Sequence, residues 1–269
     1  MHSVLGKLAI ALRGESSTLA LRGQSLTLAL LIAGGIAVAG CRPSPAPPTP
    51  TSTTSQASGP STDDEALPTA IATIQAIVAN PVSVTLGQGS PTPAQPNQAM
   101  AYGDQIRTED EALAEVGLVT GAMFRIGGNA SLTLQPNQLQ LNAGQMITWV
   151  EGALAEPVEI VTPVGIAGIR GTTVFVNIAD DPSAPVEIFS WEGQVAFRLT
   201  ESGEEVVLTS GEQLFVSPGE QSIESLQQQV QPLDRATALE RLEESPLING
   251  FSQPLPTRPE LEATADELQ

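Results

Sequence analysis

The stretch "VTPVGIAGIRGTTVFV" occupies residues 161–176. Its second half alternates: Val174, Val176 and the following Ile178 share one face of an extended chain, while Thr173 and Asn177 lie on the other. Successive side chains of a strand point to opposite faces, so this period of two predicts a half-buried strand. Gly168 and Gly171 allow a tight backbone path ahead of it. The glycines invite a phosphate-loop reading, but such a loop ends in Gly-Lys-Ser/Thr and leads into a helix. Here the basic residue is Arg170, no lysine follows Lys7, and a strand comes next. The stretch therefore reads as structure. Gly168, Arg170, Gly171 and Thr172 form a latch in which Arg170 bonds to a carboxylate or to strand-edge carbonyls.

Similar runs flank it, among them "VSVTL" (82–86), "SLTLQ" (131–135), "MITWV" (146–150), "VAFRL" (195–199) and "QLFVS" (213–217). Turn signals separate them, such as Gly127-Gly128-Asn129, Glu192-Gly193 and Ser210-Gly211. Many short strands at this spacing predict an all-β domain over residues 70–220, either β-solenoid-like or a β-sandwich. A weak repeat hints at the solenoid: "YGDQIRT" (102–108), "NAGQMIT" (142–148) and "TSGEQLF" (209–215) each place Ile or Leu three residues after a glycine. Its irregular period keeps the sandwich open. Beyond Pro218 the spacing of Leu233, Ala236, Ala238 and Leu242 predicts a short C-terminal helix within residues 221–246. Pro232 separates it from what precedes, and Asp234 suits its N-terminus. The proline-rich, acidic residues 247–269 are expected to form a flexible tail.

The N-terminal part has a different character. Lys7, Arg13 and Arg22 precede an apolar run over residues 26–39, and Cys41, the sole cysteine, follows Val38-Ala39-Gly40. A basic region, a short apolar region and small residues before a cut site make an export signal. The run is shorter than the roughly 20 residues a transmembrane helix needs. One cysteine cannot close an internal disulfide, and the only histidine is His2. Neither a zinc site nor a Cys–His nucleophile can be assembled from that stock. The remaining role for Cys41 is covalent attachment, and Val38–Cys41 resembles the bacterial lipobox. That resemblance implies a signal peptide over residues 1–40 and lipid on Cys41. Residues 42–67 are Pro-, Ser- and Thr-rich, too poor in large apolar groups to offset chain entropy. Residues 41–69 thus read as a disordered tether, in which residues 42–67 reach roughly 80 Å at about 3.1 Å per residue when extended.

The formal net charge is −19. Removing residues 1–40 takes away Lys7, Arg13, Arg22 and Glu15, a net +2, and leaves −21 on a chain with eight arginines, 29 carboxylates and no lysine. Such a field repels nucleic acid, which is bound by basic patches. It favours basic partners or divalent cations. Asp180, Asp181 and Glu187 lack the alternating ligands of a Ca²⁺ loop, so a solvated turn before Pro182 is the better reading. No histidine or lysine in the mature chain can activate a serine or threonine. Paired carboxylates could hydrolyse a glycoside, but no pattern selects a pair. The chain reads as a non-enzyme without cofactors.

Taken together, "GDQIRT" (103–108), "SLTLQPNQLQLNAGQ" (131–145), "VTPVGIAGIRGTTVFV" (161–176), "FSWEGQVAF" (189–197) and "VVLTSGEQLFV" (206–216) resemble the FecR domain across residues 82–217. The resemblance implies an extracytoplasmic all-β module. The family's namesake members relay receptor state to a sigma factor through a membrane-spanning helix and a cytoplasmic anti-sigma segment. A cleaved lipoprotein signal would leave nothing on the cytoplasmic side, so that role is not carried over. The expectation is a lipid-anchored, non-catalytic envelope module, periplasmic or on the outer surface, that binds a protein in sensing, signalling or assembly. A carbohydrate or cell-wall module is the alternative, and a carboxylate-pair hydrolase comes third. Trp149 and Trp191, each beside a Glu-Gly turn, suit core packing, or a partner or glycan face if exposed.

Overall fold

The computed structural model describes residues 69–150, 158–200, 203–220 and 222–269, and the side chain of Thr172 lies outside the description. The expected lipidation position Cys41, the expected signal peptide and all but the last residue of the expected tether lie outside it as well. The strands are β1 (Ala72–Val78), β2 (Val82–Thr85), β3 (Thr92–Pro93), β4 (Ala99–Met100), β5 (Gln105–Thr108), β6 (Leu113–Leu118), β7 (Ala122–Gln135), β8 (Gln138–Val150), β9 (Val158–Thr162), β10 (Gly165–Ile178), β11 (Val186–Arg198), β12 (Glu205–Thr209), β13 (Glu212–Val216) and β14 (Gln231–Pro232). Helix α1 (Ile223–Gln229) precedes β14, and α2 (Arg235–Glu244), α3 (Pro246–Asn249) and α4 (Arg258–Glu267) follow it.

Long strands that change neighbours midway carry the sheet. β7 pairs with β6 through its first half and with β5 through its second. β11 pairs with β13 and then with β12. β10 pairs with β9 through Gly165–Ile169 and with β8 through Val174–Ile178. Because β8 also pairs with β9, the sheet closes on itself. The result is mostly β: a small five-stranded barrel with extra strands and C-terminal helices.

The bends have a local cause. Register shifts interrupt the β7–β8 ladder after Gly127 and the β10–β11 ladder after Arg170. Gly144, opposite the first shift, has φ +81, and a Cβ there would lie 2.4 Å from the Ala130 Cα. Gly171, at the second, has φ +69. A side chain is disfavoured there, and a bulge of this kind bends its strand. Gly168 needs no such freedom: a Cβ would meet only the Ala196 carbonyl, at 3.5 Å.

The expected solenoid is therefore corrected. The recurring glycine motifs belong to unrelated places: a turn before β5, the bend inside β8, and the β12–β13 turn. They share turn chemistry rather than stacked coils. The sandwich alternative is corrected too, because β10 runs through both parts of a closed sheet instead of belonging to one of two.

Two apolar clusters lie on opposite faces of the sheet. The inner one holds Val174, Val176 and Ile178, as the alternation predicts, with Phe124, Ile126, Leu132 and Phe197. The outer one joins Ile147, Trp149, Phe189 and Trp191 to Leu233, Leu242, Leu247, Phe251, Leu255 and Leu261 from the C-terminal segment. Residues 247–269, expected as a flexible tail, are instead packed: α4 buries Leu261 and Ala265, and Arg235 of α2 pairs with its Asp266 at 2.7 Å. Full burial of a Leu, Ile or Phe side chain is worth about 1.5–3 kcal/mol, so several such anchors hold the segment down. The predicted helix is α2. Asp234 caps it by accepting from the Thr237 amide at 3.0 Å, and Pro246 stands just past its end.

Candidate functional site

Antiparallel partners share a sheet face. The registers therefore lay out the outer face in rows. One row runs Glu115, Arg125, Ile147, Phe175, Phe189 and Gln213 across β6, β7, β8, β10, β11 and β13. A parallel row beside it holds Gln145, Asn177, Glu187 and Phe215. The first row is largely apolar with a buried ion pair at one end. The second is polar and ends on a partly exposed aromatic ring.

The C-terminal segment is pinned over the first row by Arg125. This side chain is fully buried; its Nε donates to Glu115 Oε2 at 2.7 Å. Its Nη1 donates to the carbonyls of Leu247 at 3.0 Å and Ile248 at 3.3 Å, and its Nη2 to that of Gln253 at 2.8 Å. The guanidinium also lies 4.2 Å from the Phe251 ring centre and 5.3 Å from that of Trp149. A planar fork of donors suits this geometry, which a lysine could not reproduce. Thr173 adds a hydroxyl contact to Thr257 at 2.8 Å.

Over the second row the cover is incomplete. A groove of about 390 Å³ opens between α2 and the sheet. Ile147, Phe175 and Trp191 line it on the sheet side with the polar trio Gln145, Asn177 and Glu187. Thr237, Glu240, Arg241 and Glu244 of α2 form the facing wall, and Pro246 and Ile248 of α3 close one end. The spacing i, i+4, i+7 of Thr237, Arg241 and Glu244 puts them along one side of the helix. Arg241 Nη2 donates to Glu187 Oε1 at 2.6 Å, and its guanidinium lies 5.5 Å from the ring centres of Phe175 and Phe189. Its Nη1 is buried without a protein acceptor. Glu240 and Glu244 are exposed at the rim, and neither makes an ion pair among the described residues.

Trp149 and Trp191 are each 1% exposed, so the partner face they would have offered is corrected: they are core of the outer cluster. A glycan platform needs an open ring, and neither provides one. Arg170 does meet a carboxylate, with Nη2 3.0 Å from both oxygens of Glu205, but the pair lies in solvent. Gly171 sits at the bend beside it, whereas Gly168 is a regular strand residue. Asp181 accepts from the amide and hydroxyl of Ser183 at 2.9 and 2.7 Å, which hold its carboxyl below the usual range. Glu187 turns instead to Arg241, and among the described residues no cluster of His, Cys, Asp or Glu is placed to share a cation.

The groove and its pin went unread in the sequence. Arg125 carried a signal, as a charge between Phe124 and Ile126 in the apolar first part of its strand. Arg241 carried none beyond its place in a helix.

The glycine-bent strands that build this face are the part of the chain known elsewhere. Residues 104–196 match the family model described as FecR protein. This stretch is similar to the FecR family. The match begins at Asp104 of "GDQIRT", whose buried carboxylate accepts from the Gly87 and Ala101 amides, each at 2.7 Å. It ends at Ala196, so the C-terminal helices that form one wall of the groove lie outside the FecR match. Two crystal structures of a "putative anti-sigma factor" from Parabacteroides distasonis, at 1.65 and 2.50 Å resolution, are similar to this chain. Each is 14% identical with a TM-score of 0.41; the alignment covers 51% of this chain and 64% of theirs. No curated protein matches the sequence.

Proposed function

We propose that this chain is a non-catalytic, extracytoplasmic FecR-type module that acts by binding another protein in envelope sensing, signalling or assembly, held to the membrane by lipid on Cys41. The observation that carries the reading is the half-open groove on the outer face. Its volume is that of a ligand site, and it mixes an apolar floor with a few placed polar groups. Its buried carboxylate, Glu187, is bound to Arg241. Among the described residues no helix is long and apolar enough to cross a membrane, and the lipid on Cys41 supplies the anchor in this reading.

The test is photo-crosslinking in intact cells from p-benzoylphenylalanine in place of Phe215. This ring is partly exposed, and it ends the row that holds Glu187. A discrete protein adduct, on a chain that takes up a fatty-acid label at Cys41 and loses it in Cys41→Ser, is the expected result. Adducts to wall glycan alone would replace the reading with a carbohydrate-binding one.

A further inference from the structure

The chemistry of the groove narrows what can enter it. Its charged lining is three carboxylates, Glu187, Glu240 and Glu244, against one guanidinium, Arg241. Arg241 is already neutralised by Glu187 at 2.6 Å. The excess negative charge therefore rests on Glu240 and Glu244, at the mouth, where no arginine of the described chain answers them. Between them and the sheet lies the half-buried Phe175. The ring already carries the Arg241 guanidinium at 5.5 Å, so what the rim adds is unanswered negative charge beside an apolar wall, which fits a long cationic side chain: the aliphatic stem packs along the wall and the charged head reaches the rim. Arg241 Nη1 lacks an acceptor, and a main-chain carbonyl of an incoming segment would supply one.

We infer that the groove receives a basic segment of the partner protein, with the head group of one Arg or Lys side chain between Glu240 and Glu244. This rests on the protein-binding reading above and names the partner's chemistry. The net charge, −19 for the full sequence and −21 without residues 1–40, adds long-range attraction for such a segment. An acidic or apolar segment would meet the rim carboxylates without compensation.

The experiment maps the adduct formed from p-benzoylphenylalanine at position 215 and repeats it in the Glu240→Gln/Glu244→Gln double variant of the full chain. Both glutamates are exposed, so the variant should melt at the wild-type temperature. The expected result is a partner peptide with Arg or Lys within a few residues of the attachment point, and an adduct yield that falls several-fold in the double variant. A protein adduct on a segment without basic residues, or a yield that the double variant leaves unchanged, overturns this inference and leaves the protein-binding reading standing. Absence of any protein adduct overturns both.

Discussion

Arg125 sits in β7 two residues before Gly127-Gly128, and Arg170 sits in β10 directly before Gly171. Each is an arginine in a β-prone run at a glycine bend, and each pairs with a glutamate. The side chains of the Arg125–Glu115 pair are 1% and 12% exposed, while those of Arg170–Glu205 are 55% and 41% exposed. Arg125 also holds three carbonyls of the C-terminal segment, and among the described residues Arg170 holds only its glutamate. Arg198–Glu159 falls between them at 33% and 24%. One type of pair is thus set at three depths, and depth decides what it is worth. A buried pair that loses one partner leaves an uncompensated charge away from water, whereas an exposed pair is screened and offsets little beyond its own ordering.

The largest effect is expected at the buried end. Arg125→Ala should destabilise the fold by about 3–5 kcal/mol, because Glu115 is left buried and the carbonyls of Leu247 and Gln253 lose their donor. Urea titration measures this. Acrylamide quenching of Trp149 and Trp191 should be low in the parent and rise in the variant as the segment loosens. A variant as stable as the parent would mean that the apolar anchors alone hold the segment.

The intermediate pair should show in the pH dependence. The hydrogen bond from Arg198 holds the Glu159 carboxyl below the usual glutamate range, against a smaller upward push from burial, and the Gln138 amide and the Arg198 charge add lesser downward pulls. A carboxylate whose folded pKa is depressed stabilises the fold above its unfolded value, about 4.3, and loses that contribution as pH falls through the folded value. Arg198→Gln should therefore flatten the fall in stability below about pH 4.3, as followed by denaturant titration at a series of pH values. The fall is expected to stay equally steep only if Glu159 is held down by something other than Arg198.

The smallest effect belongs to the exposed pair. Arg170→Ala should cost no more than about 1 kcal/mol and shift the melting temperature by a few degrees at most. A loss comparable with that of Arg125→Ala would restore Arg170 as the latch of the fold.

Much of the β-domain was legible. Alternation placed Val174, Val176 and Ile178 inward, and the Gly-rich turns marked bends and strand ends. Closure into a barrel was not, because a glycine that bends a strand and a glycine that ends one have the same local sequence. Gly144 lies within β8 and Gly211 between β12 and β13, yet both stand in Gly-x-x-Ile or Gly-x-x-Leu. The second core left a trace that went unused. In "MITWV" and "VEIFSW" both strand faces are apolar, as in strands covered on both sides. The candidate groove depends on that covered face and so was invisible too.

Proline and acidic residues made 247–269 look unstructured, although Leu247, Ile248, Phe251, Leu255 and Leu261 supply anchors. Those anchors are buried together with Trp149 and Phe189 on the outer face, where Arg125 lies against Phe251. What the sequence determined by itself was local: strand periodicity, turn positions, the capped α2, and a surplus of carboxylates that nucleic acid would avoid. Only the tertiary structure decided that both faces of the sheet are used, that Arg125 rather than Arg170 is the pin, and that α2 stands off the sheet over Phe175. The reason is physical: alternation and caps act between residues a few positions apart. The pin and the groove, by contrast, join side chains more than 50 positions apart, such as Arg241 and Glu187.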